Sequence, residues 1–285
     1  MNITWRFREK LLGFIGINRI VHRLELSNKI AILRAREEIL NSKKYEDDKR
    51  LAKSGFKAYS QGDEDGMIQE IFQRIGTNTK TFVEFGVGNG LENNTIYLLY
   101  QGWKGLWIEG DNQQVKFITN KFAKPIKSKQ LKLIQDYVTK DNIENLLSQF
   151  PESKELDLLS IDIDGNDYHI FQAIKSIKPR VIVMEYNAKF APPVKWVMKY
   201  NSKHLWDGTD YMGASLKSFE KLFDEKGYVL VGCSINGVNA FFVRKDLVED
   251  KFSQPYTTEN HYEPARFWLK YPSGHVANFN EYLSQ

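Results

Sequence analysis

The chain has 285 residues, of which 42% are hydrophobic and 27% are charged, so its composition is that of an ordinary globular protein. Its 40 basic and 36 acidic residues give a formal net charge of +4, which is too small to indicate a nucleic-acid partner. The single cysteine, Cys233, excludes an intramolecular disulfide and fits a reducing compartment. No apolar run approaches the roughly 18 residues needed to span a bilayer, so we expect a cytoplasmic protein.

The first 54 residues form a basic and amphipathic segment that differs from the rest of the chain. We predict a helical extension here, ahead of a larger domain. We expect it to cover that domain or to dimerise, and the alternative is contact of residues 1–50 with an anionic membrane surface. Its apolar residues are Trp5, Phe7, Leu11, Leu12, Phe14 and Ile15, followed at helical spacing by Ile32, Ala35 and Ile39.

A polar stretch, residues 59–66, precedes a predicted helix over residues 67–75. Asp63 is placed to cap this helix, because a carboxylate there would accept from free backbone amides.

Residues 80–93, KTFVEFGVGNGLEN, combine a predicted buried strand with a glycine turn. The strand covers residues 81–85, where β-branched and aromatic side chains dominate. Three alternating glycines then let the backbone turn tightly and approach a ligand, and these are Gly86, Gly88 and Gly90. Asn93 and Asn94 are candidate caps of the next helix, whose first amides would point at that ligand. This arrangement is half of a nucleotide-binding βαβ unit.

Two acidic residues accompany this unit. Glu84 precedes the glycines, and Glu109 ends the next apolar run. Their spacing is that of S-adenosylmethionine enzymes, in which the second carboxylate accepts hydrogen bonds from the ribose hydroxyls.

Further along the chain, the pattern predicts helices over residues 112–122 and 141–150 and a third strand over residues 131–137. A fourth strand, residues 156–162, ends in a polar cluster that includes Asp162, Asp164 and His169. A helix over residues 168–177 follows, and then a fifth strand over residues 180–185, which ends at Glu185 with Asn187 close behind. Parallel strands end at one edge of a sheet, so we expect these groups to converge there. Like charges so close require a cation or a proton between them.

Residues 192–213 are a long irregular segment rich in aromatic residues, which we interpret as a substrate lid; the alternative is an aromatic patch packed on the sheet. A helix over residues 215–226 leads to a predicted hairpin of residues 228–233 and 240–243. The Asn236–Gly237 pair predicts a type I′ turn between these strands. A terminal antiparallel hairpin on a parallel sheet distinguishes methyltransferase sheets from those of dinucleotide dehydrogenases.

Three segments of this sequence resemble class I S-adenosylmethionine-dependent methyltransferases, nearest to FkbM-like sugar and small-molecule O-methyltransferases. They are residues 84–90 (EFGVGNG), 107–111 (WIEGD) and 160–165 (SIDIDG). The resemblance implies an α/β fold with a Rossmann-like, mostly parallel sheet. It also implies that S-adenosylmethionine contacts Glu84, the three glycines and Glu109, with the adenine near Asp136 and Tyr137. Gln61 and Glu64 would be further contacts.

The predicted domains are therefore a helical extension (1–54), a methyltransferase domain (55–245) and an aromatic C-terminal tail packed on it (246–285). The resemblance implies O-methyl transfer to a small polar acceptor, a sugar of a surface glycan or its nucleotide-linked precursor. Asp164 or His169 would take the acceptor's proton. Two alternatives stand, a nucleotide- or sugar-binding protein without catalysis and a metal-dependent hydrolase.

A metal site is a separate hypothesis. Asp162, Glu185 and Asn187 resemble the acidic residues and the asparagine that hold Mg²⁺ in catechol-type O-methyltransferases. Oxygen ligands suit Mg²⁺ or Mn²⁺, and a cation would lower the pKa of an acceptor hydroxyl. The alternative is metal-free chemistry in which Asp162 makes hydrogen bonds and His169 alone is the base.

Overall fold

The computed structural model describes residues 17–270, and its contacts divide the chain between residues 46 and 47. The first unit contains helix α1 (Ile17–Leu40) and a short turn of 3₁₀ helix (Lys43–Tyr45). None of the residues of α1 is buried. The predicted apolar residues from Trp5 to Ile15 lie outside the described residues. No helix within residues 17–270 has the length and apolar character needed to cross a membrane.

The second unit is built on a seven-stranded sheet with the order β3-β2-β1-β4-β5-β7-β6. Five strands are parallel, and β7 pairs antiparallel with both β5 and β6. The prediction of a mostly parallel Rossmann-like sheet with a terminal antiparallel hairpin is confirmed. The strands are β1 (Thr81–Phe85), β2 (Lys104–Glu109), β3 (Leu131–Gln135), β4 (Leu158–Ile161), β5 (Val181–Glu185), β6 (Tyr228–Cys233) and β7 (Asn239–Arg244).

Helices cover both faces of the sheet, and each strand sends alternate side chains to the two layers. In β1, Val83 and Phe85 pack on one side and Phe82 on the other, and all three are fully buried. The helices of this unit are α2 (Glu64–Ile75), α3 (Ile96–Tyr100), α4 (Asn112–Lys121), α5 (Ala123–Lys127), α6 (Ile143–Ser148), α7 (Asp167–Ala173), α8 (Leu216–Glu225), α9 (Lys245–Val248) and α10 (Thr258–His261).

The central strand β1 lies between β2 and β4, where the direction of strand progression reverses. Phe85, its last residue, aligns with Ile108 on one side and Ile161 on the other. In open α/β sheets the crevice beyond such a reversal is the usual place for a ligand. The glycine turn after β1 and the polar cluster after β4 both lie at this edge.

Two predicted local structures are wrong. The hairpin between β6 and β7 is not a type I′ turn, because only Gly237 has a positive φ, +77°, and type I′ requires two such residues. Its loop is longer, and the Asn236 side chain accepts from the amide of Val238 at 3.1 Å. Asp63 does not cap α2 with its side chain.

Asp65 instead gathers the amides ahead of α2. One of its carboxylate oxygens accepts from the backbone of Ala58, Tyr59 and Ser60 at 2.6–2.8 Å. Helix α2 begins at Glu64, three residues before the predicted start at residue 67.

Residues on both sides of the predicted methyltransferase domain, 55–245, also pack in the core of the second unit. Leu51, 1% exposed, packs in the core layer behind the sheet, although the predicted domain starts at residue 55. Within the predicted tail, Val248 and Phe252 are buried in that same layer. Tyr271 and the residues after it lie outside the described part of the chain.

Candidate active site

The glycine turn after β1 has the backbone that its sequence requires. Gly86, Gly88 and Gly90 have φ values of +74°, +54° and +72°, a region that residues with a Cβ rarely adopt. A Cβ on Gly86 would lie 1.6 Å from the carbonyl oxygen of Asp162. A Cβ on Gly88 would meet no described atom within 4 Å. Gly86 is therefore required for packing, and Gly88 faces open space.

Glu109, at the end of β2, is fixed against this turn. One carboxylate oxygen accepts from the amide of Gly88 at 2.8 Å and the other from the amide of Asp111 at 2.8 Å. Each oxygen keeps a lone pair for a further donor, so a partly exposed, oriented acceptor lies beside the open space at Gly88.

The end of β3 lies next to Glu109. The amide of Asp136 donates to the Glu109 carbonyl at 3.1 Å, which sets the two strand ends side by side. The ring of Tyr137 covers Gly110, where a Cβ would lie 2.4 Å from the ring, and Tyr137 is 55% exposed. The structure thus brings together four of the seven predicted cofactor positions, Gly88, Glu109, Asp136 and Tyr137.

Glu84 is a different case, because it is only 2% exposed and lies beneath the turn. Its carboxylate accepts from the amide of Asn94 at 2.9 Å and from the hydroxyls of Thr95 and Ser160 at 2.5 and 3.1 Å. Burial raises the pKa of Glu84 to about 7, and the hydrogen bonds from Thr95, Asn94 and Ser160 offset part of that rise. We expected Glu84 to contact a ligand directly. In the structure its carboxylate instead lies beneath the turn and binds the residues that support it.

The N-terminus of α3 also differs from expectation. The helix has only five residues, and its preceding amides are already bonded: Asn94 donates to Glu84, and Ile96 to the side chain of Asn93 at 3.0 Å. The N-cap residue is Thr95 and not Asn93 or Asn94 as predicted, and the bonded amides do not point at a ligand.

The two further contacts suggested before α2 are not equivalent. Glu64 is fully buried and accepts from the amide of Gly62 at 2.7 Å and from the side chain of Asn239 at 3.1 Å. Its burial leaves no surface for a ligand, whereas Gln61 is exposed.

A carboxylate cluster forms where β4 and β5 end. Asp162, Asp164 and Glu185 each offer an oxygen within 4.8 Å of the others. Burial, followed by the charges of Asp164 and Asp167, raises the pKa of Asp162 well above its usual value, and burial and the charge of Asp162 do the same for Glu185. One Glu185 oxygen is buried without a hydrogen-bond partner among the described residues.

Asp167 holds the loop that carries the cluster. Its two carboxylate oxygens accept from the amides of Ile163 and Gly165, each at 2.9 Å. Between them, Asp164 adopts a positive φ of +54°, which turns its side chain toward the exposed side of the cluster. Burial raises the pKa of Asp164, and the nearby His204 partly offsets the rise.

His169 lies outside the cluster's ligand set. Its Nε2 is 2.7 Å from the carbonyl of Met198, and its ring contacts that of Tyr200 edge-on at 5.5 Å. Since a carbonyl only accepts, Nε2 carries the proton in this contact. His169 ties α7 to the 192–213 segment.

His204 is the histidine beside the cluster, and the sequence interpretation had placed it only in the lid. Its Nε2 is 3.2 Å from the carbonyl oxygen of Asp164. Its ring fills the space beside Gly165, where a Cβ would lie 2.3 Å from the ring. The available signal in the sequence was the glycine at position 165, directly after Asp164, because glycine can mark the close approach of a neighbour. In the structure its φ is not positive.

Asn187 anchors the same segment from the end of β5. Its amide nitrogen donates to the carbonyls of Asp210 and Met212 at 2.8 and 3.0 Å, and its oxygen accepts from the amide of Lys189 at 3.2 Å. These contacts orient Asn187 toward the backbone of the segment.

Residues 192–213 border the cluster, and part of the segment packs on the core, where Met198 is 1% exposed. Trp206 and Tyr211 stay 54% and 49% exposed, and Tyr211 lies edge-on to His204 at 6.5 Å. A backbone bridge between Val197 and Ala214 closes the base of the segment. The exposed aromatic faces therefore border the polar site.

The strand order, the terminal hairpin and the glycine turn together define a class I methyltransferase fold. The profile of the family described as "Methyltransferase FkbM domain" matches residues 68–230, more than half of the chain. The protein therefore belongs to the FkbM family and is an S-adenosylmethionine-dependent methyltransferase.

Solved structures with a similar fold have low sequence identity to this chain. A glycopeptide N-methyltransferase, MtfA, complexed with sinefungin is 12% identical over 64% of this chain and 87% of its own, with a TM-score of 0.39. An O-methyltransferase from Bacillus cereus in complex with SAH is 11% identical, with coverages of 77% and 91% and a TM-score of 0.41. A putative caffeoyl-CoA O-methyltransferase from Staphylococcus aureus is 16% identical, with coverages of 64% and 82% and a TM-score of 0.43. No curated relative matches the sequence.

Proposed function

We propose that the protein is an O-methyltransferase whose acceptor is a small polyhydroxylated molecule such as a free or nucleotide-linked sugar. The observation that carries this proposal is the contact between Gly86 and the Asp162 carbonyl, which makes the glycine turn and the carboxylate cluster two sides of one crevice. A methyl donor in the turn would then face an acceptor held by carboxylates. Carboxylates and aromatic faces are the groups that bind sugar hydroxyls and ring faces.

The residues around Gly88 fit S-adenosylmethionine, which supplies an activated methyl group on its sulfonium. Gly88 offers space that a side chain would fill, and Gly86 and Gly90 hold the turn in shape. Glu109 accepts from the ribose hydroxyls, being already oriented by the amide of Gly88. Tyr137 provides an exposed ring for the adenine, with Asp136 beside it.

Asp164 is the residue we assign as general base. It is the exposed member of the cluster, and burial of the site raises its pKa, so its basicity is greater than that of a surface aspartate. His204 contacts its backbone, with Nε2 3.2 Å from the Asp164 carbonyl oxygen. His169, bonded to the Met198 carbonyl, is assigned as a positioning residue for the segment that borders the acceptor.

The 192–213 segment is the acceptor-binding element in this proposal. Trp206 and Tyr211 present exposed faces, and the place of Tyr211 next to His204 directs an acceptor toward Asp164. Asn187 fixes the start of this arrangement through the backbone of Asp210 and Met212.

The inner pair of the cluster, Asp162 and Glu185, shares one proton in our proposal. Both pKa values are raised by burial and by mutual repulsion, and one carboxyl holding a proton would remove the repulsion between the two. A divalent cation such as Mg²⁺ or Mn²⁺, bound by Asp162, Glu185 and Asn187, is the alternative way to neutralise the same charges.

The function is tested by two measurements on the full chain. Calorimetry should show binding of S-adenosylhomocysteine, and incubation with labelled S-adenosylmethionine should transfer label to monosaccharide or nucleotide-sugar acceptors. Binding without transfer to any polyhydroxylated acceptor would contradict the acceptor class, and it would favour the non-catalytic binding protein. Hydrolysis of a nucleotide-sugar acceptor without binding of S-adenosylhomocysteine would favour the metal-dependent hydrolase.

A further inference from the structure

Helix α1 carries an unpartnered apolar face in its first two turns. Ile17, Ile20, Val21 and Leu24 fall on one side of a helix with about 3.6 residues per turn. Leu24 is 64% exposed and Ile20 is 58% exposed, and no residue of α1 is buried. A contiguous apolar face left in water is typical of a binding surface.

The polar side of the same two turns is basic. Arg19 and Arg23 project away from the apolar face, and Arg34 continues the basic side further along the helix. A helix with aliphatic residues on one side and arginine on the other has the pattern of helices that lie in the plane of a membrane interface. The long arginine side chains can reach headgroup phosphates while the aliphatic ones enter the acyl boundary.

The distribution of charge along the chain points to an anionic surface. Residues 1–34 hold 7 of the 40 basic residues and only 2 of the 36 acidic ones. The remaining 251 residues therefore hold 33 basic and 34 acidic residues, and their formal charge is −1. The net positive charge of the protein is thus confined to the segment that bears the exposed apolar face.

The sequence immediately before α1 has the same chemistry. Its apolar residues include Trp5 and Phe7, and its basic residues are Arg6, Arg8 and Lys10. Tryptophan and phenylalanine beside arginine are the residues that interfacial segments use at the headgroup level.

We propose that helix α1 docks the enzyme on an anionic phospholipid surface, with Ile17, Ile20, Val21 and Leu24 facing the lipid. Two independent properties, the apolar face and the concentrated charge, act together there. Either alone gives weak, reversible binding, whereas the two combined give a stable peripheral attachment.

The proposal is tested by sedimenting the full chain with vesicles of phosphatidylcholine alone or mixed with phosphatidylglycerol. We expect binding to the mixed vesicles and little to phosphatidylcholine, with a loss of binding as salt rises. Replacing Arg19, Arg23 and Arg34 together by glutamine should weaken binding roughly 100-fold, at about fivefold for each charge. The control is Lys116, Lys124 and Lys127 replaced by glutamine, three exposed charges on α4 and α5 whose loss should change nothing.

A second matched pair tests the apolar face. Ile20→Ser with Leu24→Ser should abolish vesicle binding, whereas Leu26→Ser with Leu33→Ser, two exposed leucines on the other side of α1, should leave most of it. The proposal would be overturned if the protein bound phosphatidylcholine vesicles as well as the mixed ones. It would also be overturned if a test variant and its matched control lost vesicle binding equally. Absence of vesicle binding would also overturn it. If light scattering then showed a dimer that the Ile20 and Leu24 changes dissociate, the face would belong to a second copy of the chain.

Discussion

The amide of Gly88 donates to the Glu109 carboxylate over 2.8 Å, and this bond joins the turn after β1 to the end of β2. It fixes the carboxylate beside the open space that a Cβ on Gly88 would enter. The bond therefore couples the two halves of the proposed cofactor site, since movement of the turn would displace the ribose acceptor.

The first prediction concerns this carboxylate. Glu109→Ala should weaken binding of S-adenosylhomocysteine by about 1.5–3 kcal/mol, because charged hydrogen bonds to the ribose are lost. Glu109→Gln keeps an acceptor for the Gly88 amide, so its loss should be smaller. Calorimetry on both variants measures the effect. Wild-type affinity in a folded Glu109→Ala protein would contradict the assignment.

The second prediction separates two glycines of the turn. Gly88→Val should abolish cofactor binding, because the side chain fills the ligand's space, and its Cβ meets no protein atom within 4 Å among the described residues. Its positive φ adds a strain of about 1–2 kcal/mol. Gly86→Ala should instead unfold or strongly destabilise the protein, since its Cβ would overlap the Asp162 carbonyl. Thermal unfolding and calorimetry on both variants distinguish a ligand site from a packing site.

Most of the fold could be predicted because its strands are short apolar runs that end in glycine, proline or polar residues. The element boundaries moved where side chains compete with the helix: the predicted helix over residues 168–177 ends at Ala173, since the amides of Lys175 and Ser176 donate to Glu144. Such a contact joins residues about thirty positions apart, so a local pattern cannot reveal it.

The site residues that follow directly from the strand-turn-strand backbone could be predicted from the sequence. Those that a loop distant in sequence brings to the site could not. The glycines and Glu109 follow from strand-turn-strand spacing, and the structure places them together. His204 reaches Asp164 from about forty residues away, through the shape of the lid. Glu84 looked like a ligand contact in sequence, but its three hydrogen-bond donors come from residues that fold over it.

The third prediction concerns the pH dependence of stability. Below its unfolded value of 4.5, Glu84 is protonated in both states; as pH rises toward the folded value of about 7, only the unfolded state releases the proton. This residue therefore lowers the free energy of unfolding by about 3 kcal/mol between those pH values. Glu84→Gln cannot ionise and should lose that part of the slope in urea unfolding. Asp141→Asn, at an exposed carboxylate, should keep the wild-type slope.

The fourth prediction tests the base. Asp164→Asn should lower kcat by about 10²–10⁴-fold while S-adenosylhomocysteine binding stays unchanged. In the wild type, kcat should rise with pH as Asp164 deprotonates, at a pH above that of an ordinary aspartate because burial raises its pKa. Asp224→Asn, at an exposed aspartate on α8, is the control and should retain activity. An unchanged kcat in Asp164→Asn would rule out this role.

The fifth prediction concerns His169, which we assign to positioning. His169→Gln can still donate to the Met198 carbonyl, so it should retain most of the activity. His169→Ala loses that bond and should raise KM for the acceptor more than it lowers kcat. If both variants lost kcat equally, and the loss removed the rise of kcat with pH, His169 would be the base.

The last prediction decides between a proton and a cation at Asp162 and Glu185. If one proton is shared, activity should survive EDTA unchanged, and Glu185→Gln should raise the thermal midpoint, because a neutral amide removes one of two buried, repelling carboxyls. Calorimetry with Mg²⁺ or Mn²⁺ should then show no binding that depends on Asp162. A cation predicts the reverse: EDTA would remove activity, added Mg²⁺ or Mn²⁺ would restore it, and both Asp162→Asn and Glu185→Gln would abolish it. Those results would replace the shared proton with a metal centre and leave the methyltransferase assignment intact, because the family match does not depend on the cluster.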